Sequence, residues 1–158
     1  MAANYEILTA DGAGNVSTAV RADGYAVTPA RIIDDAAPDG LKFTGDWQHQ
    51  NGLWPAHDHT LSSSRAKGAI AELSFQGREF LLFGKLGANC GQATLRIDND
   101  PAEKLDAYSA DDIWGVCLYR KTFATPGPHT LRIEVLGEHG PRAKDSLFPI
   151  DGVRIEQK

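Results

Sequence analysis

The segment Gly68–Gly77, GAIAELSFQG, decides the fold class because its apolar residues occupy alternate positions. Successive side chains of an extended strand point to opposite faces, so one face of this segment would be apolar and the other polar. The apolar face consists of Ala69, Ala71, Leu73 and Phe75, and the polar face includes Glu72 and Ser74. This pattern predicts a half-buried β-strand.

The same alternation recurs further along the chain. It predicts inward-facing Ala93, Leu95 and Ile97 in GQATLRID (91–98), and Leu131, Ile133 and Val135 in HTLRIEVLG (129–137). Further strands are indicated by REFLLFG (78–84), IWGVCLYRKTF (113–123) and IDGVRIE (150–156). No capped segment with a 3.6-residue period is long enough to predict a helix. The sequence therefore predicts an all-β protein with two antiparallel sheets packed as a sandwich.

Glycine- and proline-containing segments separate these predicted strands. We expect turns at Gly77, Gly84 and Gly87, and at DNDP (98–101), TPGP (125–128) and GEHGP (137–141). Glycine adopts positive φ values without steric cost, so Gly77 and Gly84 are expected to supply such conformations.

The sequence divides into two parts near Thr28. Residues 1–28 contain two strand-like runs joined by ADGAGN (10–15). We interpret them as a strand-rich N-terminal extension, or as the remnant of an upstream immunoglobulin-like module. Such a short segment cannot form its own core and must pack on something else. Residues 29–158 are expected to form the β-sandwich.

Composition excludes several classes of protein. The 158 residues suit one domain, and the net charge of -5 with scattered Lys and Arg argues against a nucleic-acid partner. No apolar run approaches the roughly 18 residues that a membrane span needs. The N-terminus lacks the basic start and apolar stretch of a signal peptide, so either the protein is not exported or a signal or upstream domains have been removed, and we expect the second.

The two cysteines, Cys90 and Cys117, are too few for a disulfide framework. They would form one disulfide in an exported protein, or remain two thiols in a reducing compartment. The sequence does not decide between these states.

Four segments, in this order, carry a family resemblance: RIIDDAAPDGLKFTGDW (31–47), GAIAELSFQGREFLLFG (68–84), GQATLRIDNDPAEKLDAYS (91–109) and TPGPHTLRIEVLGEHGPRAKDSLFPIDGVRIE (125–156). Together they resemble the galactose-binding-domain-like β-sandwiches, which include carbohydrate-binding modules and accessory domains of bacterial glycoside hydrolases. The resemblance covers about residues 30 to 157. It implies a jelly-roll sandwich in an extracellular or periplasmic protein. Because this fold also carries other binding and structural roles, function must be argued from the loops.

The segment WQHQNGLWPAHDHT, Trp47–Thr60, is the principal candidate site. Sugar recognition uses aromatic faces that stack on the ring and polar side chains that hydrogen-bond the hydroxyl groups. The resemblance places this segment on a rim with GKLGANCG (84–91) and YSADDIWG (108–115). The predicted ligand-binding residues are Trp47, His49, Trp54, His57, His59, Asn89, Tyr108, Trp114 and Arg142. Trp54 and Trp114 are expected to be exposed, whereas Trp47 and His59 lie near strand ends and are equally consistent with scaffold roles.

The sequence also suggests two separate metal hypotheses, which involve different residues. His49, His57, Asp58 and His59 would offer zinc ligands if residues 57–59 were extended, although the spacing matches no established zinc motif. The resemblance implies a structural calcium ion near the two ends of the sandwich, for which Asp34, Asp35 and Asp151 are the predicted ligands. Single Asp residues before turns also act as caps.

We therefore expect a non-catalytic carbohydrate-binding module of a larger exported protein that acts on polysaccharides, with a poly- or oligosaccharide as its ligand. The alternative is a structural or protein-interaction domain that packs on a neighbouring catalytic domain of the same polypeptide. A metal-dependent hydrolase is less favoured, since no set of nucleophile, base and orienting group can be recognised.

Overall fold

The computed structural model describes residues 30–157, which form ten β-strands and one 3-10 turn at His57–His59. The strands are β1 (Arg31–Asp34), β2 (Lys42–Thr44), β3 (Gln48–Asn51), β4 (Thr60–Ser64), β5 (Ile70–Leu86), β6 (Gln92–Ile97), β7 (Glu103–Asp106), β8 (Ile113–Val135), β9 (Phe148–Ile150) and β10 (Gly152–Glu156). This architecture confirms the all-β prediction. The interpretation of residues 1–28 lies outside the described part of the chain.

The strands form two antiparallel sheets, as predicted. The larger has seven strands in the order β1-β10-β5-β8-β6-β7, with β2 paired to the first part of β5. The smaller has three strands in the order β3-β4-β9. The chain passes from the smaller sheet to the larger at Asp151, between β9 and β10.

The core contains the residues that the alternating patterns predicted. Ala71, Leu73 and Phe75 of β5 are buried, while Glu72 and Ser74 between them are exposed. The largest fully buried side chains include Phe80, Leu82, Leu95, Ile133, Phe148 and Ile155. Removing such a side chain from water contributes about 1.5–3 kcal/mol, so these residues stabilise the sandwich.

The glycines of β5 differ from the prediction. Gly77 and Gly84 lie within one continuous strand, and neither has a positive φ. A Cβ atom at Gly77 would lie 2.5 Å from Ile155 Cγ2, and one at Gly84 would lie 2.5 Å from the Pro149 carbonyl oxygen. The turn predictions at these glycines were therefore wrong, because the glycines serve close packing against other strands.

The TPGP turn prediction was also wrong. Strand β8 continues through this segment, and Gly127 pairs with Gly77. Turns do occur at DNDP, where Asp98 has φ +54°, and at GEHGP, where Gly137 has φ +64°.

Both cysteines are free thiols. Cys90 is buried and Cys117 is exposed, and the Cys117 thiol donates to the Tyr119 carbonyl oxygen at 3.3 Å. Burial raises the pKa of Cys90, so it acts as a small apolar core residue. Within residues 30–157, no helix is long and apolar enough to span a membrane.

Candidate functional site

The hairpin formed by β3 and β4 presents the principal candidate residues at its tip, residues 52–59. Backbone hydrogen bonds close this hairpin tip on itself: Leu53 N–H donates to His59 O at 3.0 Å, and His59 N–H donates to Ala56 O at 3.1 Å. Asp58 and His59 have φ values of +46° and +63°, which are uncommon for residues with a side chain. The tip is thus a compact structure that fixes the directions of its side chains.

Trp54 stands out from this tip. It is 80% exposed, more than any other large hydrophobic residue of the described chain. Its ring centroid lies 4.4 Å from that of His59. His59 therefore supports Trp54 and is not tied to a neighbouring strand. Large exposed aromatic side chains are typical of binding surfaces.

A cleft of about 290 Å³ lies beside the hairpin tip. Its apolar lining comes from Ile32, Pro55, Phe83 and Val153, and its polar lining from His57, Asp151 and Arg154. Ile32 is 50% exposed, since it points outward from β1 while Ile33 enters the core. Apolar surface beside a few polar groups is the combination that sugar recognition requires.

Three carboxylates meet beneath the tip. Asp34, Asp35 and Asp151 each place one oxygen within 4.8 Å of the others. The His57 N–H donates to Asp151 Oδ1 at 2.9 Å, which attaches the tip to this group. Burial raises the pKa of Asp151 to about 6 and also raises the pKa of Asp35.

Hydrogen bonds satisfy this carboxylate group only in part. Ala36 N–H donates to Asp34 Oδ2 at 3.0 Å, and Ser62 donates to Asp35 Oδ2. The Thr60 hydroxyl lies 2.8 Å from Asp34 Oδ2 and 2.7 Å from Asp35 Oδ1, but its one proton can serve only one of them. Asp34 Oδ1 is buried and accepts no hydrogen bond from the described residues, and His57 Nδ1 lies 3.4 Å from it. Three converging carboxylates, with one oxygen that accepts no hydrogen bond, fit a hard divalent cation such as calcium.

The three histidines of the zinc hypothesis do not converge, although His57 and Asp58 lie close to Asp34 in a group that could hold a metal ion. Residues 57–59 form a 3-10 turn and are not extended. His57 Nδ1 lies 3.4 Å from Asp34 Oδ1 and 3.5 Å from Asp58 Oδ2. His59 contacts Trp54, and His49 Nδ1 contacts Ser62 Oγ at 2.7 Å.

Trp47 and His49 pack on Phe43 of β2. The centroids of the two side-chain rings lie 4.8 and 5.0 Å from that of Phe43. Trp47 Nε1–H donates to the Thr44 carbonyl oxygen at 3.2 Å. Neither residue lines the cleft beside the hairpin tip.

The remaining predicted residues lie in a loop cluster formed by residues 85–91, 106–115 and 137–147. Gly87 pairs with Tyr108, and Asn89 O accepts from Leu147 N–H at 3.2 Å, so the structure brings together the three predicted loops. Asn89 and Arg142 are exposed at turns, and Tyr108 is partly buried.

Trp114 in this loop cluster is less accessible than Trp54. It is partly buried, and Lys85 Nζ lies 4.8 Å from its ring centroid. The same ammonium group is 2.9 Å from Asp112 Oδ2. Gly115, the next residue, lines the cleft. The loop cluster and the hairpin tip therefore meet at this cleft.

Sequence reasoning missed the sheet residues of the cleft: Ile32, Phe83, Val153 and Arg154. One signal was present in the sequence. Adjacent Ile32 and Ile33 in a strand place one isoleucine outside the core.

Comparisons with known proteins lead to enzymes that act on carbohydrates. No protein-family model matches the chain. A curated relative, the A type blood alpha-D-galactosamine galactosaminidase of Flavonifractor plautii, is 26% identical over 99 residues. The match covers 63% of this chain but only 9% of that protein.

Solved structures share the fold at low sequence identity. A two-domain esterase active on acetylated mannans matches 84% of this chain with a TM-score of 0.59 and 16% identity, and the match covers 38% of that protein. A family two carbohydrate esterase from Cellvibrio japonicus matches 82% of this chain with a TM-score of 0.58 and 12% identity, covering 34% of the esterase. Paenibacillus xanthan lyase matches 80% with a TM-score of 0.57 and 13% identity, covering 13% of the lyase. At these identities the likeness establishes the fold alone.

Proposed function

We propose that this chain is a non-catalytic carbohydrate-binding module of the galactose-binding-like type, within a larger exported protein that acts on polysaccharides. The observation that carries the proposal is Trp54, which is 80% exposed and is followed in the chain by Pro55, a lining residue of a partly apolar cleft. The relatives support the carbohydrate class, because their names describe enzymes that act on glycans.

In this proposal Trp54 stacks on the apolar face of a sugar ring at the cleft entrance. His57 and Arg154 at the cleft margin would hydrogen-bond the hydroxyl groups, while Ile32 and Phe83 would contact the ring carbons. One shallow site of this kind gives an affinity of roughly millimolar to micromolar strength, which tethering to a parent enzyme makes effective.

The test is a glycan-array screen followed by calorimetry, with Trp54→Ala and Trp114→Ala as matched variants. The panel includes glycans ending in α-galactosamine, and acetylated mannans. We expect Trp54→Ala to weaken binding at least about tenfold, a loss of roughly 1.4 kcal/mol, and Trp114→Ala to change it about threefold or less. A protein that binds no glycan, or a Trp54→Ala variant with wild-type affinity, contradicts the proposal.

We also propose that Asp34, Asp35 and Asp151 hold a calcium ion. The buried, unpartnered Asp34 Oδ1 and the convergence of three carboxylates support it. The ion would neutralise this group beneath the hairpin tip and supply structural stability, with no part in any reaction.

Thermal melting of the chelator-treated protein tests this calcium proposal. Adding calcium should raise the melting temperature by several degrees, and Asp34→Asn should abolish the rise. Asp46→Asn is the matched control, because Asp46 is exposed and belongs to neither of the two groups of possible metal ligands that contain Asp34. Equal responses of the two variants, or no response of the wild type, would count against the ion.

The alternative is an accessory domain whose cleft packs against a neighbouring domain. It is favoured by the half-exposed Ile32 at the cleft and by the relative, of which this chain spans only 9%. Acrylamide quenching of tryptophan fluorescence distinguishes the carbohydrate-binding role from the accessory role. A Trp54 ring that is accessible in this chain but shielded in the longer polypeptide supports the accessory role.

A further inference from the structure

The outer face of the larger sheet carries a second polar cleft, here called the sheet groove. It has a volume of about 540 Å³, and its lining includes Lys42, Glu72, Ser74, Arg96, Thr130 and Arg132. The strand register explains this set, because Lys42 pairs with Glu72, Glu72 with Arg132, and Arg132 with Arg96. These residues form one row across β2, β5, β8 and β6. The sheet groove has no lining residue in common with the cleft at the hairpin tip.

The acidic groups of the sheet groove already have partners. Glu72 Oε1 accepts from Arg132 Nη1 at 2.7 Å, and Asp39 Oδ2 accepts from Arg31 Nη2 at 2.9 Å. Asp98 lies 2.7 Å from His129 Nδ1 through its Oδ2 atom, and its Oδ1 accepts from the Thr130 N–H at 2.8 Å. The carboxylates are thus held by the protein itself.

Two of the basic groups are not engaged in this way. Lys42 and Arg96 form no ion pair or side-chain hydrogen bond with any residue between 30 and 157. Both residues are exposed. They lie at opposite sides of the sheet groove, three interstrand spacings apart, or about 14 Å. The ion-paired Glu72 and Arg132 lie between them, and two small hydroxyl side chains, Ser74 and Thr130, lie side by side in the next row of the sheet.

We propose that the sheet groove binds an acidic oligosaccharide, with Arg96 and Lys42 each pairing with a different anionic sugar of one chain. A guanidinium forms two parallel hydrogen bonds to a carboxylate or sulfate, and an ammonium group acts as a point charge. The hydroxyls of Ser74 and Thr130, beside this row, bind sugar hydroxyls of the same chain.

The spacing of the two cations distinguishes this site from a simple anion contact. An oligosaccharide with several acidic sugars reaches both Arg96 and Lys42, whereas a single acidic sugar reaches only one. The carbohydrate class of the ligand rests on the proposed function, but the site is separate. The Trp54→Ala variant therefore distinguishes a failure of the sheet-groove proposal from a failure of the hairpin-tip proposal.

The experiment is calorimetry at low salt with tetragalacturonate, galacturonate, neutral galactotetraose and a sulfated galactotetraose. We expect the wild type to bind the two acidic tetramers, with a preference that identifies the anion, and to bind monomeric galacturonate at least about tenfold more weakly. Neutral galactotetraose should not compete with the acidic tetramers, and added salt should weaken their binding.

Variants locate the site. Arg96→Gln and Lys42→Gln should each weaken binding of the acidic tetramers about tenfold, while Trp54→Ala leaves it unchanged. Arg78→Gln is the matched control, because Arg78 is an exposed arginine of β5 that does not line the sheet groove. The proposal is overturned if no acidic tetramer binds, if Arg78→Gln weakens binding as much as Arg96→Gln, or if the monomer binds as tightly as the tetramer. Binding lost only in Trp54→Ala would assign the acidic glycan to the hairpin tip.

Discussion

The hairpin tip and the loop cluster have similar compositions, but the tip is held by local contacts and the loop cluster by contacts between distant segments. Each contains a tryptophan among short polar residues. The tip is closed by hydrogen bonds within eight consecutive residues, 52–59, and leaves Trp54 80% exposed. The loop cluster joins three distant segments, and Lys85 covers one face of its Trp114. An aromatic side chain therefore stays exposed where its support is local, because no distant segment covers it.

The test with the largest expected effect compares substitutions at two glycines. A Cβ atom at Gly91 in the loop cluster would lie 2.5 Å from Ser146 Cα and 2.6 Å from Glu138 O. Gly52 in the tip has nothing within 4 Å of such an atom, although its φ is +77°. We expect Gly91→Ala to lower the free energy of unfolding by about 3 kcal/mol, and Gly52→Ala by about 1 kcal/mol. Urea denaturation measures both, and equal losses would contradict the contrast.

The second test uses pH, because the tip rests on buried carboxylates. The pKa of Asp151 is raised from 3.8 to about 6, so the folded protein binds more protons than the unfolded chain between these values. Stability contributed by the protonated carboxyl is therefore lost as the pH rises from about 4 to about 6. We expect the calcium-free protein to lose about 2 kcal/mol across this range, measured by urea denaturation at each pH.

Asp151→Asn is the variant that isolates this effect. It should flatten the pH dependence, because an amide does not titrate in this range. Because the pKa of Asp35 is also raised, this variant should still lose some stability as the pH rises, but less than the wild type. A full wild-type slope in Asp151→Asn would show that other groups control it.

The smallest effect concerns the covering of Trp114. Lys85→Gln removes the ammonium group above the ring and its ion pair with Asp112. We expect a loss of about 0.5–1 kcal/mol in the free energy of unfolding. In a background with Trp47→Phe and Trp54→Phe, acrylamide should also quench Trp114 more strongly. Lys104→Gln, at an exposed lysine of β7, is the control and should change neither measurement.

The sequence was sufficient to predict β5, β6, β8 and β10, because alternation is a local pattern. It identified the buried face of β5 and the inward residues of β6 and β8. It misassigned Gly77 and Gly84, because the requirement for glycine comes from Ile155 and Pro149, which are distant in sequence. Both a turn and close packing against another strand favour glycine, and only the tertiary structure shows which of the two applies.

The candidate site was predictable only in part. Trp54 in a glycine- and proline-containing loop was expected to be exposed, and it is. The cleft beside it was not predictable, because Phe83 and Gly152 become neighbours only through the pairing of β5 with β10. The conformation of residues 57–59 was also missed, since positive φ at Asp58 and His59 has no clear sequence signal.

The long ladder between β5 and β8 has a consequence for folding kinetics. It begins at the pair Leu86–Ile113 and ends at Ile70–Glu134, and β6 and β7 lie in the intervening chain. Each step from the first pair to the last encloses a longer loop, so closure entropy favours zippering from Leu86 toward Ile70. Substitutions near Leu86 should therefore slow refolding, whereas those near Ile70 should mainly accelerate unfolding.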